Sequence, residues 1–222
     1  SVTNSSSTST TVNKVICNNF YVGDNKSMDM LEKTLPEDAF LRKALCRPLS
    51  SVYPSTTTCA TTTIETGLYP CEHAWLGWTI FFPQIDQLVD VYTNKNNLGE
   101  NAADYYVGER FIPRDFIYPH ITACGRFKAC SISPFGDVKI NTLPELIDRA
   151  ITLAKDSEKR YMYCYWPEPD STMHKHGCYH AKSAAQLMDI NEREEKAYEF
   201  LFRGPCNADK NTDSLFYMFS RD

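Results

Sequence analysis

The sequence predicts an α/β fold built on a largely parallel sheet, and three observations carry that expectation. Strand-like runs alternate with helix-like runs along the chain. One segment, "TLPELIDRAITLAKDSEK", is plainly amphipathic, with Leu143, Leu146, Ile147, Ala150, Ile151 and Ala154 along one face and Pro144 in the first turn. The most polar motifs fall directly after strand-like runs, where open α/β sheets gather their ligands. At 222 residues with 42% hydrophobic and 13% aromatic content, the chain is expected to bury a sizeable core as a single folded unit.

The elements follow in order. Residues 1–13, "SVTNSSSTSTTVN", have too few apolar side chains to offset the entropy of ordering and read as a disordered lead-in. "KVICNNFYV" is strand-like, and "SMDMLEKTL" and "EDAFLRKAL" carry apolar residues at helical spacing. "PLSSVYP" has strand character closed by Pro54, and the following threonine-rich run is helical up to Gly67, a suitable stop. "IDQLVDVYTN" is ambiguous, and residues 96–136, rich in Pro, Gly and aromatics without a period, read as mostly irregular, with an inserted cap over 79–140. "RYMYCYWPEPD" is an aromatic strand running into a loop, "AAQLMDINEREEKAYEFLF" a helix, and "SLFYMFS" a final strand.

Composition narrows the function. A formal net charge of -5 offers no basic surface for a nucleic-acid duplex, although a small phosphorylated substrate needs only local cations. No run of about 18 apolar residues is present to form a membrane span. The chain starts at Ser1 without a basic-then-apolar leader, which reads as a processed or truncated end. Nine cysteines, odd in number and without a C-x-x-C pair, favour a reduced, cytoplasmic chain over a secreted one with a few disulfides.

Four features are capable of chemistry. "EPDSTMHKHGCYH" sets Asp170 and His174 four apart, so a helix starting at Asp170 turns both to one side, and carboxylate plus imidazole suits zinc. His176, Cys178 and His180 follow closely, and with Asp170 and His174 they offer a small structural metal site as a separate reading. Asp24 ends the first strand-like run, where it either caps the next helix or binds a metal, and Asp222 directly follows the last strand-like run. "PSTTTCATTTIETGLYP" puts seven threonines into seventeen positions, with Ser55, Thr56, Thr57 and Thr58 all N-cap candidates. One cap needs one hydroxyl. A second hydroxyl at a helix N-terminus, beside a dication, is placed to attack phosphorus, while Thr61 to Thr63 read as packing.

The order of these features resembles the type I phosphodiesterase and nucleotide pyrophosphatase branch of the alkaline phosphatase superfamily, most specifically in "TGLYPCEHAWLGW" and "WPEPDSTMHKHG" and over roughly residues 14 to 222. The resemblance implies a doubly wound, alkaline phosphatase-like α/β core with helices on both faces. It also implies two divalent metals, usually zinc, and hydrolysis of phosphodiester or pyrophosphate bonds, possible nucleotide substrates included, through a phospho-threonine. Counting back from Thr66-Gly67-Leu68, the family's spacing places the nucleophile at Thr57, with Thr56 and Thr58 as alternates. Asp170 and His174 would hold one metal, and Asp24, Thr57 and Asp222 the other. Each site is completed in the family by a histidine that here falls beyond residue 222, so the core is expected to be incomplete at its C-terminus. Two departures accompany the match: "DNKS" stands where the family has Asp-Gly-x-Gly, and Thr58-Cys59-Ala60 where it has Phe-Pro-Asn. The chain is therefore expected to be a hydrolase by descent, with a catalytically inactive remnant, acting as a ligand-binding or structural domain, as the rival.

Overall fold

A computed structural model of the protein describes residues 16–17, 25–44, 51–155 and 160–198, with side chains from Asp29 onward. Strand β1 (Ile16–Cys17) is followed by helices α1 (Asn25–Thr34), α2 (Phe40–Ala44), α3 (Thr57–Thr66) and α4 (Pro70–His73). Next come β2 (Thr79–Phe82), β3 (Gln87–Asp90), β4 (Lys95–Asn96), α5 (Val107–Phe111) and α6 (Ile117–Ala123). The chain continues through β5 (Lys128–Ser133), β6 (Val138–Lys139), α7 (Leu143–Ala154), β7 (Arg160–Cys164), α8 (Asp170–His176) and α9 (Ala181–Tyr198). Asp24, Asp222, the lead-in and the expected final strand lie outside the described residues.

Four strands form a parallel sheet in the order β1-β7-β5-β6. This is the mixed helix-and-strand architecture with a parallel sheet that the alternation called for. A separate antiparallel sheet orders β2-β3-β4, with Phe81 opposite Leu88 and Ile80 opposite Val89.

Strand period two divides the parallel sheet into two different faces. Ile132 and Met162 point to one side, where α7 covers them with Leu146 and Ala150, and Cys130 and Cys164 pack at the edge of the same cluster. Ser131, Ser133 and Tyr163, one step out of phase, point to the other side and line a cavity. There Tyr118 of α6 lies with its ring 6.3 Å from that of Tyr161. One face is thus apolar and covered, and the other carries hydroxyls.

Helix α7 forms as expected. Thr142 caps it by accepting from the Glu145 amide at 3.3 Å, Pro144 occupies the first turn, and Leu143, Leu146 and Ala150 are buried. Its other side joins a second cluster in which Met30, Leu31, Leu35 and Leu41 meet Leu187 and Ile190 of α9. A third cluster, centred on Trp75, Phe82, Val89, Val91 and Val107, supports the antiparallel sheet.

One sequence expectation is corrected in its described part: residues 51–54 of "PLSSVYP" contain no strand, in keeping with Pro54, which has no N–H to give a ladder, while residues 48–50 lie outside the described residues. Residues 96–136 are irregular over more than half of their length, but α5, α6 and β5 also lie in them, and β5 pairs with both β6 and β7 inside the parallel sheet.

Candidate active site

Helix α3 begins with a division of labour among its threonines. Thr56 is the N-cap: its Oγ1 accepts from the Cys59 amide at 3.1 Å and donates to the Leu76 carbonyl at 2.8 Å. That occupies the hydroxyl in both roles, so Thr56 is committed to holding the helix start against the chain after α4. Thr58 is buried, 1% exposed. Thr57, between them, has an Oγ1 withdrawn from solvent and without a hydrogen-bond partner among the described residues. The later threonines serve the helix: Thr61 Oγ1 donates to the Thr57 carbonyl at 2.9 Å and Thr66 Oγ1 to the Thr62 carbonyl at 2.6 Å. Gly67 ends the helix at φ 71°, with its N–H on the Thr63 carbonyl.

His73 ties α4 back to this helix. The Trp75 amide donates to its Nδ1 at 3.0 Å, so that nitrogen is unprotonated and the proton sits on Nε2, which donates to Thr63 Oγ1 at 3.0 Å. Burial holds the imidazole below its ordinary pKa, in keeping with a neutral ring that uses both nitrogens.

A cavity of about 440 Å³ opens beside α3. Thr57, Thr61 and Glu65, at successive four-residue steps, line it from the helix, and Ser131, Ser133 and Tyr163 line it from the polar face of the sheet. Trp78, Tyr92 and Phe135 form an aromatic row, with ring centroids 5.2 Å and 5.7 Å apart in succession. Eight residues of α-helix span about 12 Å, so the cavity runs from the helix start at Thr57 to Glu65 well away from it.

Four charged side chains line the cavity, Lys139 among them with Asp137, Arg114 and Glu65. Asp137 accepts from both the amide and the hydroxyl of Ser131, at 3.0 and 3.1 Å, which closes the β5–β6 turn. Gly136 is required there, since a Cβ would stand 2.8 Å from Ser131 Oγ and 3.0 Å from the Ser131 carbonyl. Arg114 stacks its guanidinium 3.8 Å from the Trp75 ring and 4.7 Å from the Phe116 ring, and pairs with Glu109 through Nε and Nη2. Glu65 accepts from Tyr118 Oη at 2.9 Å. Burial pushes the Glu65 carboxyl above its ordinary range, opposed by the Tyr118 hydrogen bond and by Arg114. Burial also drives the Tyr118 phenol far up, with Glu65 adding to the effect, so it stays a donor.

Asp170 and His174 are brought together as expected. Asp170 opens α8 and His174 lies one turn on, with Nε2 3.5 Å from Asp170 Oδ1. Neither lines the cavity, but Tyr165, in the loop between β7 and α8, does. Among the described residues, no three His, Cys, Asp or Glu side chains converge on one point. The structural metal reading for Asp170, His174, His176, Cys178 and His180 is therefore corrected: His176 and His180 stack on each other, ring centroids 5.0 Å apart. Sequence reasoning missed Glu65, Arg114 and Asp137. Only Glu65 left a readable signal, as the third polar position of the 57, 61, 65 stripe.

No curated protein matches this chain. The family model described as type I phosphodiesterase / nucleotide pyrophosphatase matches residues 28–201, a span that holds the Thr57 helix, the cavity and the Asp170–His174 pair, and the chain belongs to that family.

Proposed function

We propose that the chain is a metal-dependent hydrolase of phosphodiester or pyrophosphate bonds, acting on a small phosphorylated substrate with Thr57 as nucleophile. The observation that carries the reading is the Thr57 hydroxyl: it is buried, lines the cavity, stands at a helix N-terminus and is bonded to nothing among the described residues. A buried polar atom left without a partner costs on the order of 1–3 kcal/mol, and a ligand offsets that. Membership of the family supports the activity.

The donor set fits a dication. Thr57 offers an unpartnered oxygen, and Asp170 with His174 offers the oxygen-and-nitrogen pair that zinc accepts. Asp170 and His174 would hold one ion and Asp24, Thr57 and Asp222 a second; such ions supply Lewis acidity toward phosphoryl oxygens. In this reading Thr57 Oγ1 attacks phosphorus, the P–O bond to the leaving group breaks, and the phospho-threonine formed is later hydrolysed by water. The amides of the first turn of α3 and the helix dipole favour the anionic phosphoryl group. Thr56 holds that turn in place through Leu76, and the aromatic row excludes water from the arm that does not react.

We read the core as the doubly wound alkaline phosphatase-like sheet, with the inserted cap being the part of residues 79–140 that precedes β5. The test is hydrolysis of a p-nitrophenyl phosphodiester with added zinc by the native chain, Thr57→Ala and Thr57→Ser. Loss of turnover in Thr57→Ala with partial retention in Thr57→Ser is expected. Unchanged turnover in Thr57→Ala overturns the nucleophile assignment, and zinc binding without hydrolysis in the native chain favours a binding domain instead.

A further inference from the structure

Away from Thr57 the cavity is lined by a hydrogen-bonded pair, Glu65 and Tyr118, that hydrolysis at Thr57 does not use. Glu65 is eight residues along α3 from Thr57, about 12 Å by helical rise, too far to act on the same phosphorus. One of its carboxyl oxygens, Oε1, accepts from Tyr118; Oε2 has no partner among the described residues, and Glu65 lines the cavity. Arg114 lines the same cavity, and its pairing with Glu109 uses Nε and Nη2, leaving Nη1 without a partner among the described residues. An acceptor and a donor thus line the same cavity as the Tyr92 and Phe116 rings.

The charges select the class of group that fits. An anionic arm would meet Glu65 and Asp137, and a cationic arm would meet Lys139 and Arg114, whose guanidinium already covers the Trp75 and Phe116 rings. A neutral ring that donates a hydrogen bond meets neither conflict: the ring packs on the aromatic planes and its donor reaches Glu65 Oε2. We propose that Glu65 is a specificity-determining residue that accepts a hydrogen bond from a neutral, donor-bearing ring, the hydroxyl of a sugar or the amino group of a base, on the substrate arm remote from phosphorus. The proposal rests on the reading that the cavity beside Thr57 receives the substrate.

Calorimetric binding of three monophosphates to the native chain and to Glu65→Gln tests it: glucose 1-phosphate, cytidine 5′-monophosphate, and phenyl phosphate, whose ring has no donor. Glu65→Gln keeps the shape and the acceptor toward Tyr118 while presenting N–H in place of Oε2. Binding of glucose 1-phosphate, of cytidine monophosphate or of both should weaken about tenfold, the scale expected when a buried donor loses its acceptor, with phenyl phosphate unchanged. The ligand that weakens names the source of the donor. Equal weakening of all three, or of none, overturns the assignment. Tyr118→Phe guards against a folding artefact: it leaves the carboxylate in place and should preserve the preference for the donor-bearing rings over phenyl phosphate, and loss of that preference also counts against the proposal. Because binding is read without turnover, failure here is distinct from failure of Thr57 as nucleophile, which Thr57→Ala reports by turnover.

Discussion

At the scale of single residues, two hydroxyls adjacent in sequence do different work. Thr56 spends its oxygen on the helix start and on Leu76, and Thr57 keeps its own toward the cavity. Thr56→Ala removes a cap worth roughly 1 kcal/mol, so thermal unfolding should show a lowered midpoint while the Thr57 hydroxyl remains. His73 sets a pH dependence. Its folded-state pKa lies below the ordinary 6.5, so the unfolded chain takes up a proton at a higher pH than the folded one does. Stability contributed by neutral His73 is therefore complete above about 6.5 and is lost as pH falls below it. The unfolding midpoint should drop on acidification from pH about 7 to about 5, and the drop should be shallower in His73→Gln. An equal slope in both proteins would show that other groups govern the acid limb.

At the scale of elements, the longer helices were legible, while the short helices α4, α5 and α6 and part of the sheet were not. Helix α7 announced itself by apolar spacing, a threonine cap and a proline in the first turn, all local signals. Helix α3 announced its stop through Gly67, whose φ of 71° no β-carbon residue adopts cheaply. Gly67→Ala is expected to destabilise by roughly 1 kcal/mol, read as a shift in denaturant midpoint. Strand β5, "KACSIS", was missed because small residues and serines carry little strand propensity, and its stability comes from pairing with β6 and β7 on both edges. The same two-residue period then made Ser131 and Ser133 cavity residues, which no local pattern declares. Arg114 was unreadable for a similar reason: its stack depends on Trp75 and its pairing on Glu109. Gly136→Ala should distort the β5–β6 turn, because its Cβ would press on Ser131, and weaken ligand binding more than it lowers the unfolding midpoint. Calorimetry and thermal unfolding on the same variant separate the two effects.

At the scale of the whole molecule, one parallel sheet separates an apolar face packed by α7 from a hydroxyl-bearing face that forms a cavity with α3. The Asp170–His174 pair and the Thr57 hydroxyl belong to different elements, and the proposed chemistry requires both together with the groups at Asp24 and Asp222. Chelation should therefore abolish hydrolysis, and added zinc should restore it; survival of full activity in chelator contradicts metal dependence. The covalent intermediate gives the most direct test of the account. Rapid quenching of the zinc-loaded chain during turnover of a p-nitrophenyl phosphodiester, followed by peptide mass spectrometry, should find a phosphoryl adduct on Thr57 that is lost in Thr57→Ala. An adduct on another residue, or sustained turnover by Thr57→Ala, contradicts it.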